Sequence, residues 1–142
     1  SLSLSDQKTV FLSPEALSRA DPPVHFPSFC QISLQNLEYS GNIKYRAHVQ
    51  NIGWQDYVYN NQIAGTSGLG YRVEALQIEL IGDVANYYDI YYRVHVQDIG
   101  WMNWVKNGDV AGTTGLSKRI EAIQIQLVKN INLKIAKGLV NY

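Results

Sequence analysis

Between residues 43 and 50 the chain alternates: Ile43, Tyr45, Ala47 and Val49 fall on one parity, and Lys44, Arg46, His48 and Gln50 on the other. A period of two marks a β-strand with one face in the core and one in water. The pattern returns as Ile90, Tyr92, Val94 and Val96 against Tyr91, Arg93, His95 and Gln97. After an Ile-Gly-Trp turn, Trp54 to Tyr59 and Trp101 to Lys106 read as a second, returning strand. Gly-rich loops follow, Gly65-Thr66-Ser67-Gly68 and Gly112-Thr113-Thr114-Gly115, and lead into a third. In that third strand Val73 and Ala75 share one parity while Leu76, Ile78 and Leu80 share the other. A β-bulge near Ala75-Leu76, and likewise at Ala122-Ile123, would bring both sets to the core by inserting one residue. The short link through Gly82-Asp83 predicts a hairpin-like connection to the next strand.

These elements form a duplicated module. Tyr45-Arg46-Ala47-His48-Val49-Gln50-Asn51-Ile52-Gly53-Trp54 returns as Tyr92-Arg93-Val94-His95-Val96-Gln97-Asp98-Ile99-Gly100-Trp101, an offset of 47 that holds without a gap to Leu80 and Leu127. Repeats are therefore placed at 37–83 and 84–130, and Gln31-Ile32-Ser33-Leu34 resembles Gln77-Ile78-Glu79-Leu80, a worn third copy. Residues 131–142 read as the start of a copy and 1–36 as its remainder. The sequence thus predicts one domain spanning 1–142, with a third repeat split between the termini so that the C-terminal strand joins the N-terminal ones in a sheet. Within 1–36, residues 1–12 predict one or two short strands. Ser13 and Pro14 predict a short helix start, ended by Asp21-Pro22-Pro23. The expected fold is all-β: a closed, three-fold pseudo-symmetric domain, β-prism-like, with a β-trefoil as the alternative.

Composition sharpens this picture. Ten Tyr, three Trp and eleven Gly suit strands and turns. Twelve Lys+Arg balance twelve Asp+Glu, so no global field attracts phosphates and nucleic acid is not an expected partner. Cys30 stands alone and reads as a small buried apolar residue. The Ser-Leu alternation at the start lacks the basic region and apolar run of a signal peptide, and no stretch is long and apolar enough to span a membrane. The chain reads as a soluble domain whose export signal would lie outside it.

Aromatic residues carry the candidate chemistry. Trp54 and Trp101 follow the Gly turn, and Tyr57 matches Trp104 three residues on. Beside Asn60, Asn61, Asn107 and Asp109, such rings could stack on a sugar and hydrogen-bond its hydroxyls. For Trp54 and Trp101 the preferred reading is a core or corner lock, because large aromatics are usually held by burial; Tyr57 and Trp104 are the sharper ligand candidates. The binding set is Tyr57, Asn60, Trp104, Asn107, Trp54 and Trp101. His48 and His95, with His25, are expected as solvated or hydrogen-bonded residues rather than metal ligands, since equivalent positions lie on different sheets. Glu74 and Glu121 each follow an Arg by two residues, and an ion pair on the sheet face is preferred over a carboxylate pair for glycoside hydrolysis. No nucleophile elbow, phosphate loop or metal motif occurs, so neither catalysis nor a cofactor is expected.

The Val49 to Trp54 segment, with Ala64 to Gly68 and Arg72 to Ile78, repeated as Val96 to Trp101, Ala111 to Gly115 and Arg119 to Ile125, resembles the clostridial hydrophobic repeat with a Gly-Trp pair, the ChW repeat. The resemblance covers residues 37–130 and is weak over 1–36. It implies an extracellular or cell-surface protein of Gram-positive bacteria that binds carbohydrate, cell wall or protein partners. The resulting expectation is a non-catalytic, lectin-like module holding a polysaccharide or cell-wall glycan through two or three repeated weak sites, or else a module docking a cell-surface protein.

Overall fold

The computed structural model describes residues 9–12, 24–26, 28–35, 37 and 39–130. In chain order its elements are β1 (Thr9–Leu12), β2 (Val24–His25), β3 (Phe29–Leu34), β4 (Asn42–Val49), β5 (Gly53–Trp54), β6 (Val58–Tyr59), β7 (Ala64–Gly65), β8 (Val73–Ile81), the single turn α1 (Val84–Tyr87), β9 (Tyr88–Val96), β10 (Gly100–Trp101), β11 (Val105–Lys106), β12 (Ala111–Gly112) and β13 (Ile120–Lys129). The protein is all-β, as its alternation demands. The expected helix start at Ser13-Pro14 and the C-terminal strand over 131–142 lie outside the described residues.

The two clear repeats build the same sheet twice. β4 and β8 pair antiparallel from Asn42↔Ile81 to Val49↔Val73, and β9 and β13 pair from Tyr88↔Lys129 to Val96↔Ile120. In both, the register slips by one residue, at Glu74 and at Glu121, so the expected bulge exists one position earlier than the side-chain parity placed it. Its consequence is the continuous buried run of Val73, Glu74, Ala75 and Leu76. The returning strand is broken in two: β5 and β6 both pair with β4, and β10 and β11 both pair with β9, with three residues standing out between them. Where a hairpin was expected after Gly82-Asp83, α1 instead turns the chain out of one sheet and into the next, its first amide, Val84 N, bonding Ser40 O at 2.9 Å. β8 and β9 therefore belong to separate sheets.

β8, β3 and β13 each take a short strand from elsewhere in the chain along one edge. β12 pairs with β8 at Ala111↔Leu76, β7 with β3 at Cys30↔Ala64, and β2 with β13 at Ile123↔Val24. Three amides extend these pairings: Thr113 N to Glu74 O at 3.1 Å, Thr66 N to Ser28 O at 3.0 Å and Phe26 N to Glu121 O at 3.0 Å. Gly65 and Gly112 sit at these crossings because nothing larger fits. Their φ values are +100° and +96°, and a Cβ would fall on the Ser28 or Glu74 carbonyl oxygen. The third sheet departs from the other two, since β1 runs parallel to β3 from Thr9↔Gln31 to Leu12↔Leu34. The three sheets share one core of Ile32, Tyr45, Leu76, Ile78, Tyr92, Ile123, Ile125 and their neighbours, and Cys30 lies within it as expected.

Candidate functional site

The alternation that buries Ile43, Tyr45, Ala47 and Val49 turns Lys44, Arg46 and His48 to the opposite face of β4. Because Trp54 is registered opposite His48, the tight turn at 50–52 places the indole on that outer face. Asn51 and Gly53 make the turn possible, with φ of 66° and 85°. The three residues between β5 and β6 then carry Tyr57 over the same face. The product is a ladder of cations and rings. His48 meets Trp54 edge-on at 5.3 Å, the Arg46 guanidinium carbon lies 4.8 Å from the Trp54 centroid and 4.8 Å from that of Tyr57, and Lys44 Nζ stands 4.5 Å from Tyr57.

The second repeat reproduces the His and Arg contacts with a larger ring, Trp104, but carries Tyr91 where the first has Lys44. His95 meets Trp101 at 5.4 Å, and Arg93 lies 4.7 Å from Trp101 and 5.0 Å from Trp104. Trp101 and Trp104 keep 37% and 36% of their surface exposed, and Trp54 and Tyr57 are half-buried. The expected burial of Trp54 and Trp101 as core or corner locks is thereby corrected. The register argument was available in the sequence: a residue opposite His48 or His95 must share its face, and that face is wet.

Behind the rings the polar groups are held in fixed pairs. Arg46 Nε donates to Gln77 Oε1 at 2.8 Å and Arg93 Nε to Gln124 Oε1 at 2.7 Å. Gln77 is itself oriented by its amide nitrogen, which donates to Gly108 O at 3.0 Å. The bulge carboxylates anchor the far end of each ladder. Glu74 accepts from His48 Nδ1 at 3.0 Å and Arg72 Nε at 2.7 Å, and Glu121 from His95 Nδ1 at 3.1 Å and Arg119 Nη2 at 3.0 Å. Both the hydrogen-bonded histidines and the Arg and Glu pairs are as the sequence suggested. Each carboxylate is held by an Arg and a His rather than facing a second acid. The nearly buried Glu74 thus has a donor on each carboxylate oxygen, His48 on Oε1 and Arg72 on Oε2.

Asn60 and Asn107 take a different part. Both are at positive φ in the turns after β6 and β11, at 36° and 46°. Asn60 Oδ1 accepts from Ile43 N and its Nδ2 donates to Asn42 Oδ1; Asn107 repeats this with Ile90 N and Asp89 Oδ1. Their amides fix the start of β4 and β9 at the lower end of each ladder. The residues that parity placed on the outer face without singling them out are Arg46, Arg93, Gln77 and Gln124.

The third sheet supplies Gln31, whose Nε2 donates to Asn61 O at 2.8 Å just as Gln77 does to Gly108. The register position across from it, however, carries Thr9 rather than an arginine. Among the described residues the ring-and-arginine face therefore occurs twice.

The family model described as Clostridial hydrophobic W matches the chain over residues 48–82 and again over 95–129. Each match opens on the ladder histidine. No curated protein and no solved structure matches the chain.

Proposed function

The chain belongs to the Clostridial hydrophobic W family, and from that premise we propose that it is a non-catalytic binding module of a clostridial surface protein, taking a cell-wall glycan or other polysaccharide on its two aromatic faces. One observation carries the reading. Trp54 with Tyr57, and Trp101 with Trp104, stand part-exposed on a polar sheet face whose arginine, glutamine and histidine are already fixed by hydrogen bonds. Rings of this kind present flat apolar area to the C–H face of a sugar while neighbouring polar groups meet its hydroxyls.

Both faces recur with the same partners at an offset of 47 residues, which suits a repeating polymer: two linked weak sites gain avidity without any new contact. The short-strand pairings of β2, β7 and β12 support a closed, three-fold, prism-like arrangement with the third repeat completed from both termini. The proposed setting is extracellular, on the cell surface. No described helix is long and apolar enough to cross a membrane, and nucleic acid is not a proposed partner.

Isothermal titration against a panel of cell-wall and plant polysaccharides tests this directly. Trp101→Ala and Trp104→Ala should each weaken binding about ten-fold or more, the loss of one ring stack being worth about 1–3 kcal/mol by analogy with base stacking. Undiminished binding by the double variant would refute it.

A second reading has its own observation. Ile52 and Leu69 in one repeat, and Ile99 and Leu116 in the other, are exposed large apolar residues at matching loop positions. The backbone bonds Gln50 N to Arg72 O and Gln97 N to Arg119 O bring the two loops of each repeat to one end of the sheet. This supports protein docking at the loop end, and Leu69→Ser with Leu116→Ser would abolish such a complex while leaving polysaccharide binding intact.

A further inference from the structure

The two faces differ from an ordinary lectin platform in the charge at their centre. The other described arginines, Arg72 and Arg119, each meet a carboxylate, at 2.7 and 3.0 Å. Lys44 and Lys118 also have acidic partners. Arg46 and Arg93 are held instead by neutral glutamines, and only through Nε. Among the described residues Nη1 and Nη2 of both have no protein acceptor. A guanidinium bonded at Nε, and flanked by two rings, keeps its end-on edge available: two N–H donors in the geometry that meets two oxygens of one anion. Ring contact removes water from around the charge and sharpens its demand for a counter-ion.

We propose that the ligand of these faces is an acidic glycan, bound with one carboxylate or phosphate group on the Nη edge of Arg46 or Arg93 and an adjoining sugar on the rings. The proposal rests on the glycan-binding reading above and specifies its ligand. It also ranks the two sites. Asp56 and Glu79 of the first repeat are replaced at the matching positions of the second by Asn103 and Gln126. Lys44 is drawn toward Glu79 at 3.8 Å in the first repeat; the matching pair in the second is the uncharged Tyr91 and Gln126, with Lys106 beside Tyr91 and with Asp89, at the start of β9, taken up by the Asn107 amide. The Arg93 site is the more positive and the tighter of the two.

The test uses the intact chain and three polymers: polygalacturonate, its fully methyl-esterified form, which has the same backbone without charge, and poly(glycerol phosphate). Titration should show at least one charged polymer bound about ten-fold more tightly than the ester, a charge-assisted bidentate pair being worth about that factor. Binding should weaken steeply as salt is raised to 0.5 M. Whether polygalacturonate or poly(glycerol phosphate) binds better assigns the group as carboxylate or phosphate. Arg93→Gln should remove most of the gain, Arg93→Lys should restore only part of it because the fork is lost, and Arg46→Gln should cost less than Arg93→Gln. Equal, salt-insensitive binding of acid and ester overturns the acidic ligand while leaving glycan binding standing. Failure of all three polymers overturns both. If Lys118→Gln, on a lysine paired with Asp98 and stacked on none of the rings, weakens binding as much as Arg93→Gln, the attraction is diffuse and the assigned site is wrong.

Discussion

Two buried phenols tie the repeats together. Tyr45 Oη accepts from Ile32 N at 3.0 Å and donates to Gln62 O, and Tyr92 Oη accepts from Ile78 N at 3.1 Å and donates to Asp109 O. Each hydroxyl thus joins its own repeat to the long strand before it, at the place where the alternating ladder hydrogen bond would otherwise be unmade. Tyr92→Phe removes that bridge and leaves a buried amide and a carbonyl unsatisfied. A loss of about 1–3 kcal/mol in urea unfolding is expected, whereas Tyr91→Phe on the outer face should be neutral. Burial also pushes the Tyr45 phenol up to about 12 and Tyr92 well above the ordinary phenol range. A raised pKa favours the protonated form in the native state. The unfolded chain releases these protons first, so stability is full below about pH 10 and is lost as pH rises through the folded values. Absorbance titration should show two tyrosines ionising only with unfolding. Parity made Tyr45 and Tyr92 legible as core residues, but a strand pattern cannot reveal that their hydroxyls reach into another repeat.

At the scale of elements, strand and turn residues were legible because their causes are local. The alternation of β4 and β9, the Asn and Asp turns and the bulge all follow from neighbouring side chains. What the sequence hid was which sheet a strand joins. Gly82-Asp83 looks like a hairpin, yet the chain turns through α1 to a new sheet, packed so close to Gly41 that a Cβ there would collide with Val84 and the Ile81 carbonyl. The site was half legible for the same reason. Register alone could have put Trp54 beside His48, but the three-residue break that lays Tyr57 and Trp104 across an arginine depends on tertiary fit. Gly112 offers a test of how much the inter-repeat crossings contribute. A Cβ there would collide with the Glu74 carbonyl and lie 3.0 Å from Ala75 Cα, whereas Gly115, at φ +78°, has nothing within 4 Å. Gly115→Ala should cost only the left-handed backbone penalty, about 1–2 kcal/mol. Gly112→Ala carries that penalty and also breaks the pairing of β12 with β8, so its melting temperature should fall clearly below that of the Gly115 variant.

For the whole molecule the question is whether the repeats form a line or a ring. In a linear array each unit touches only its neighbours, and the terminal pairing is dispensable. Here β13, the last long strand among the described residues, is covered by β2 from near the beginning of the chain, in the relation that β12 has to β8 and β7 to β3. Three proline substitutions distinguish the cases, because each removes one equivalent amide: Phe26→Pro, Thr66→Pro and Thr113→Pro. A line predicts that Phe26→Pro merely frays one end, leaving the melting of the ring-bearing repeats unchanged. A ring predicts that all three lower a single cooperative transition, each by about 2 kcal/mol or more from the lost bond and the stranded carbonyl. Phe26→Ala separates the bond from the buried ring, since it keeps the amide and loses only the side chain, itself 5% exposed. Closure matters for binding as well. If the ring holds, Phe26→Pro should weaken glycan avidity although Phe26 meets none of the four face rings and reaches the second face only through its amide bond to the Glu121 carbonyl, because the two faces would no longer be fixed in one geometry to engage the same polymer.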